Sequence, residues 1–421
     1  MKYVSTRKKA VPLSASEAIL QGLAPDGGLY VPETFTHIGL ASINEVSSVA
    51  ELAFEILNPW FEQDVMQPML GEICMEAFNF PLGLHWHDQQ QAVLELFHGP
   101  TAAFKDFGAR FLASIMERLL ERQGRQLTIL VATSGDTGSA VASAFHNRKN
   151  VRVKVLYPRG RVSKRQELQL TCWDNNIESY AVNGTFDDCQ KMVKAAFMDN
   201  NICTEHHLSS ANSINLGRLL PQMVYAWYAA LEMTVRTGQE PVMYIPSGNV
   251  GNSCGSYWAA ASGAPIDEIR LAVNANRTIV DYLEKGIYRK RPSVDTLANA
   301  MDVGDPSNIE RLFDLFPNFD DFKQAVGAMS VSDEEIQATI QRIWQEQQYV
   351  ICPHTATGER LRQAWPTDKP SVVYATAHPA KFDTIVEPII GHAIEVPPQL
   401  EQLFGTPATV RSVGTDYHEI F

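Results

Sequence analysis

A lysine at the start of a helix is out of place, and this chain has one among apolar neighbours. Lys105 lies in Glu95-Leu-Phe-His-Gly-Pro-Thr-Ala-Ala-Phe-Lys-Asp-Phe-Gly-Ala-Arg110. Gly99-Pro100 forces a turn. Beyond Asp106, the residues Phe107, Phe111, Leu112, Ile115, Met116, Leu119 and Leu120 recur at helical spacing. Lys105 therefore opens a helix, flanked by Phe104 and Phe107. The positive end of the helix dipole and desolvation by the phenyl rings both disfavour an ammonium. A lysine with a lowered pKa suits Schiff-base chemistry. The plainer alternative is a surface lysine that begins a helix.

Three strand-to-helix junctions add groups that can bind anions. They are Thr133-Ser-Gly-Asp-Thr-Gly138, Pro246-Ser-Gly-Asn-Val-Gly-Asn252, and Ser209-Ser-Ala-Asn-Ser-Ile-Asn-Leu-Gly-Arg218. Glycine lets backbone N–H groups approach an anion, and a helix N-terminus supplies unpaired donors. Each junction alone reads equally well as an ordinary helix cap. Together with a helix-start lysine they are a stronger signal. Neither glycine-rich loop has P-loop or dinucleotide-fingerprint spacing, which tells against ATP and NAD. A Schiff-base lysine with a glycine-rich phosphate cup is the combination that pyridoxal phosphate requires. Thr376, at the end of a late strand, is available to face the ring nitrogen. A neutral hydroxyl there makes a moderate electron sink, suited to elimination and replacement at Cβ or Cγ.

These residues need a scaffold, and the chain supplies an alternation of strand and helix. Strands are expected at 127–133, 151–157, 177–182, 242–246, 269–273 and 371–376. Helices are expected at 137–147, 163–172, 186–197, 249–261 and 333–347, with one long helix from after Ser213 to about Val235. Such alternation predicts an α/β fold with covered parallel sheets and ligands at the carboxyl ends of the strands. Ahead of it, residues 1–90 form a separate region with helical patterns at Ser16–Leu23 and Val46–Leu57. Ala24-Pro-Asp-Gly-Gly-Leu-Tyr-Val-Pro32 is turn chemistry. His85-Trp-His87 puts two imidazoles on one strand face, with no further metal-spaced ligands beside them. Residues 285–333 are irregular, and a plain insertion is preferred to a substrate-covering segment.

Composition narrows the class. The chain has 421 residues, enough for two or three domains, and a formal net charge of −13. That charge argues against nucleic acid or an anionic membrane as partner, and obliges a phosphate ligand to find a local positive site. Six cysteines without a CxxC pair read as reduced core thiols in a cytoplasmic protein. No apolar run has the length of a membrane span, and the first residues do not form a signal peptide.

Taken together, several segments resemble the threonine synthase family, in its enterobacterial and fungal branch. They are Phe97-His-Gly-Pro-Thr101 with Ala103-Phe-Lys-Asp106, Thr133–Gly138, Ser210-Ala-Asn-Ser-Ile-Asn215, Pro246-Ser-Gly-Asn249 and Thr376-Ala-His-Pro-Ala-Lys-Phe382. Asp26–Pro32 and Asn299-Ala-Met-Asp-Val303 extend the resemblance over nearly the whole chain. It implies the tryptophan-synthase-β-like fold of pyridoxal phosphate enzymes. A large cofactor domain (91–125 and 215–421) would enclose a nested small one (126–214). The implied reaction turns O-phospho-L-homoserine and water into L-threonine and phosphate, by γ-elimination and β-addition, in a monomer or weak homo-oligomer.

The resemblance also implies residue roles. Lys105 carries the cofactor and shuttles protons. Gly248, Asn249, Val250, Gly251 and Asn252 cup its phosphate, and Thr376 faces its ring nitrogen. Asp136 sits near its O3′, where many relatives of the fold have Asn. Ser134 and Thr137 hold the substrate carboxylate or phosphate, and Asn212, Ser213 and Arg218 the substrate phosphate. From the residues alone, Arg218 reads as a surface ion pair. The chain departs from the family pattern at Ala102, Lys8 and Val250, where Leu, Gly and Phe are frequent. A phospho-lyase giving 2-oxobutyrate from the same substrate is the nearest alternative, followed by a serine or threonine dehydratase and a non-catalytic cofactor-binding protein.

Overall fold

Runs of buried β-branched and aromatic residues make the strands of a computed structural model that describes residues 1–40, 43 and 47–421. Among the described residues these strands form three sheets. The largest has six strands, in the order Gly327–Ser330, Glu268–Val273, Val242–Pro246, Ser371–Ala375, Gln91–Glu95 and Gly83–Trp86. The first five are mutually parallel, and only Gly83–Trp86 runs antiparallel to its neighbour. Val242–Pro246 and Ser371–Ala375 are buried at every position, as central parallel strands covered on both faces must be.

The second sheet is wholly parallel, in the order Arg411–Val413, Ile177–Val182, Val151–Pro158, Leu127–Ala132 and Leu208–Ser210. Four of its strands come from residues 126–214. The fifth comes from the far end of the chain, although the expected bounds placed everything after 215 with the larger sheet. Arg411–Val413 covers the otherwise open edge of Ile177–Val182, satisfying its backbone groups. A third, two-stranded sheet pairs Tyr3–Ser5 with Tyr30–Pro32. The N-terminal region packs through aromatic contacts: Trp60 stacks on Trp258 at 6.1 Å, and Phe35 meets both edge-on.

The expected elements correspond closely in the alternating part. The long helix expected after Ser213 is broken instead. A short helix, Leu216–Leu219, stops before Pro221, and a second runs from Gln222 to Thr237. Proline has no N–H to continue the ladder, so the helix is interrupted there. Pro353–Ala364 is a helix that the sequence reading missed, and 285–333 contains the helices Ile309–Leu315 and Phe319–Ala325 and an edge strand. The helix expected at Val46–Leu57 begins at Val49, capped by Ser48; Val46 itself lies outside the described residues. His85 and His87 do share a face, with rings 5.4 Å apart. His85 stacks on Tyr349 at 4.0 Å and His87 pairs with buried Glu359 at 3.3 Å, so both rings serve packing and pairing.

Candidate active site

The carboxyl ends of the parallel strands of both sheets open on one cleft of about 290 Å³. All thirteen residues singled out from the sequence line it: Lys105, Ser134, Asp136, Thr137, Asn212, Ser213, Arg218, Gly248, Asn249, Val250, Gly251, Asn252 and Thr376. Lys105 is the first residue of the helix Lys105–Gln123, which has no side-chain cap. The loop before it is held on both sides. Asp106 accepts from the Thr101 N–H at 2.9 Å and its hydroxyl at 2.6 Å. Phe104 N–H donates to the Thr376 carbonyl at 2.9 Å, and His378 N–H to that of Ala102 at 3.0 Å. Backbone pairing thus fixes Lys105 beside Thr376.

Lys105 is half-buried, and desolvation of its ammonium pushes its pKa down to about 8. Asp136 opposes that shift, while Lys381 and Arg218 reinforce it. Arg218 is buried, not a surface ion pair, and burial pushes its guanidinium down to about 10. Its Nη1 donates to the Ala211 carbonyl at 2.6 Å, but its Nε has no partner. No carboxylate lies in ion-pair range of it among the described residues. Gly108 makes this approach possible: a Cβ there would meet the Arg218 carbonyl oxygen at 2.6 Å and its Nε at 2.9 Å.

Two loops present bare backbone donors. None of the N–H groups from Gly248 to Asn252 finds a protein acceptor among the described residues. The same holds for the N–H groups of Ser134, Asp136 and Thr137. In the first loop Val250 adopts φ +63°, rare for a β-branched residue and held by its surroundings at some cost in strain. In the second, Gly135 has φ +141°. Each loop leads into a helix, Gly251–Ala261 or Asp136–Phe145, so the dipole adds to the donors. Ser213 is fixed by amide donors from Asn249 at 2.7 Å and Asn308 at 3.2 Å, which leaves its hydroxyl proton for the cleft.

Several cleft residues escaped the sequence reading. Asn299–Val303, Asp305 and Ser307 form a wall of the cleft, so 285–333 is more than an insertion. A Cβ on Gly248 would meet Met301 Cα at 2.6 Å, and that absence of a side chain lets the wall close on the loop. Asp302, pinned by Thr296, Asn274 and Asn276, has a pKa raised to about 7 by burial. His354 is buried; burial pushes its pKa down to about 4, and its Nε2 accepts the Ala300 N–H at 3.1 Å, so it stands neutral with its proton on Nδ1. Lys381, in the segment Thr376–Phe382, ion-pairs with Asp136. Each of these depends on chain segments that only the fold brings together.

Arg311, also unforeseen, braces the site from behind. It is fully buried and donates to the carbonyls of Tyr30, Ser213 and Ile214 and to Asn308 Oδ1. Replacing it with leucine orphans four acceptors. We expect Arg311→Leu to cost about 3–5 kcal/mol of stability, since each unmet buried acceptor costs ~1–3 kcal/mol and relaxation recovers part. Urea unfolding measures this; a change under about 1 kcal/mol would remove Arg311 from the framework.

The similarity to known proteins agrees with the geometry. A family model described as pyridoxal-phosphate dependent enzyme matches residues 92–360. Models of the threonine synthase N terminus and C-terminal region match 2–78 and 355–420. Threonine synthase of Escherichia coli (strain K12) is 36% identical over 420 residues, covering 99% of this chain and 97% of that protein. The chain belongs to the threonine synthase family. Threonine synthase of Saccharomyces cerevisiae is 35% identical over 450 residues, covering 90% of this chain and 87% of that one. The crystal structure of PLP-bound threonine synthase from Brucella melitensis superposes with a TM-score of 0.94 at 33% identity, over 100% of this chain and 98% of that one.

The family's cofactor is pyridoxal phosphate, and this cleft fits it. The unpartnered N–H groups of Gly248–Asn252 are what a phosphate needs, and Lys105 and Thr376 lie in the same cleft. In this threonine synthase family member the unpartnered Nε of buried Arg218 lies at the same cleft.

Proposed function

We propose that this chain converts O-phospho-L-homoserine and water into L-threonine and phosphate, with its thirteen cleft residues in the roles outlined above. The observation that carries the reading is one cleft holding Lys105, two bare-donor loops and a buried arginine without a counter-ion. Pyridoxal phosphate, when bound, supplies the electron sink that lets a proton leave the carbon bearing the amine. Lys105 holds the cofactor and then moves that proton; a pKa near 8 lets one amine take it from Cα and return it later. Arg218, Asn212 and Ser213 hold the substrate phosphate, which departs from Cγ with the C–O bonding pair as a proton is lost from Cβ. Arginine matches a phosphate dianion through its forked donors. Ser134 and Thr137 orient the carboxylate with loop N–H groups. Cγ gains a proton, and the oxygen of water adds at Cβ. The wall of Asn299–Val303 keeps other water out until then.

Within this reading the two larger sheets are the cores of a large and a nested small domain, with residues 1–90 packed on the former. No helix among the described residues is long and apolar enough to cross a membrane. A cytoplasmic enzyme, monomeric or weakly associated, completes the proposal. The experiment is an assay on O-phospho-L-homoserine that follows phosphate and identifies the carbon product. We expect threonine and phosphate in equal amounts. Phosphate with 2-oxobutyrate would move the function to the phospho-lyase, and no phosphate release at all would remove the substrate.

A further inference from the structure

Lys381 is a fully buried lysine behind the cleft, paired with the lining residue Asp136, and the reaction derived above leaves it without a task. Its Nζ lies 2.8 Å from Asp136 Oδ1 and donates to the Thr101 carbonyl at 2.8 Å; the lysine is fully buried and Asp136 nearly so. Three segments meet on this ammonium: the turn Pro379–Phe382 after the strand Ser371–Ala375, the loop leading to Lys105, and the first residue of the helix Asp136–Phe145 from the smaller sheet. The turn itself is tied down. Ser163 donates to the Lys381 carbonyl at 3.3 Å, and Arg165 donates to that of Ala380 at 2.6 Å and pairs with Asp383 at 3.0 Å. Lys381 therefore stands in one place, between the two sheets.

An aspartate at position 136 would otherwise be awkward. A lone carboxylate lining this cleft would repel an anionic cofactor group. The ion pair removes that conflict, and it holds the Asp136 carboxyl well below the usual range despite burial. The charged and titratable groups facing Lys105 are Asp136, Lys381, Arg218 and neutral His354. Asp106, next to it on the helix, is turned into Thr101, with Arg110 behind. Gln166 adds a neutral donor to Asp136 at 3.3 Å.

We propose that Lys381 is a positioning residue for Asp136: it holds the carboxylate ionised and in place, and the neutral pair sets the charge balance in which Lys105 gains and loses its proton. The proposal rests on Lys105 being the cofactor lysine. Removing Lys381 alone leaves Asp136 attracting the Lys105 ammonium without opposition. Removing both charges restores neutrality.

The test strips pyridoxal phosphate from the full-length protein and measures its rate of re-uptake against pH by visible absorbance. Uptake requires neutral Lys105, and the titration of free cofactor is common to all variants. Lys381→Met should move the midpoint up by about one pH unit, the size expected from a charge within a few ångströms. Asp136→Asn should move it down. Asp136→Asn/Lys381→Met should return it close to the unsubstituted value, and Lys381→Arg should leave it there. Circular dichroism checks the fold of each, and the neutral double variant keeps the test open if Lys381→Met unfolds. An unmoved midpoint in Lys381→Met, or a double variant no closer to the unsubstituted protein than Asp136→Asn, overturns the proposal. Lys105→Ala separates the two readings: if it still forms the lysine-bound absorbance, the assignment of Lys105 fails, whatever Lys381 does.

Discussion

Lys105→Ala should lower threonine formation by about three to four orders of magnitude or more, the range that loss of a positioned proton-transfer group brings when covalent attachment is lost with it. The argument is one of placement. Lys105 opens a helix, lines the cleft, and has a pKa pushed down by desolvation to about 8. Backbone bonds from Phe104 to Thr376 and from His378 to Ala102 hold its loop against the central strand. No second amine can take over from the same direction, because Lys381 is committed to Asp136 and Thr101. The fold should survive the change, since Lys105 makes no ion pair in the described structure. Absorbance of the purified variant and its turnover of O-phospho-L-homoserine are the measurements. Full activity, or an unaltered lysine-bound cofactor band, would end the assignment.

Arg218→Met should reduce kcat/KM for the phosphorylated substrate by about 10²- to 10³-fold, while the melting temperature stays level or rises. A charge-assisted contact contributes ~1.5–3 kcal/mol, and a phosphate dianion left in a cleft without its counter-charge adds to the loss. The opposite sign for stability follows from the same observation. Arg218 is buried, its Nε is unpartnered and no carboxylate lies within ion-pair range, Asp106 acting only from farther off, so in the free protein it is a cost. Replacing such a group by an apolar one of similar length is often neutral or stabilising. Steady-state kinetics and thermal unfolding together check this. A change in kcat/KM below about threefold would favour a dehydratase-like site with no use for a phosphate contact. A large fall in stability would make Arg218 a structural residue.

Much of this was legible in the chain itself. Lys105 could be recognised because a cation among phenylalanines at a helix start conflicts with local physics. The loops at 133–138 and 246–252 could be recognised because glycine and small polar residues after a buried strand serve backbone N–H groups. The strands at 177–182 and 242–246 match the structure at both ends, because a fully covered parallel strand is one apolar run and its ends are where that run stops. The break at Pro221 was overlooked because the apolar spacing continues across it, and only the missing N–H stops the ladder.

Local pattern reports what a residue prefers against solvent and its near neighbours, and these residues are decided by distant ones. Arg218 has the sequence context of a surface residue on a long helix. It is buried because Gly108, on another helix, makes room for it. Arg311 is charged and follows Glu310 on a short helix, yet Tyr30 and Ser213–Ile214 supply the acceptors that let it be buried. The strand Arg411–Val413 is short and exposed on its own, and becomes a strand only by covering an edge formed some 230 residues earlier. The sequence alone therefore determined the strands, the loops and the lysine that invites chemistry, since those follow from local hydrophobicity, turn stereochemistry and helix polarity. Only the tertiary structure decided which charges face that lysine, because desolvation and pairing act through space, between segments that the chain keeps far apart.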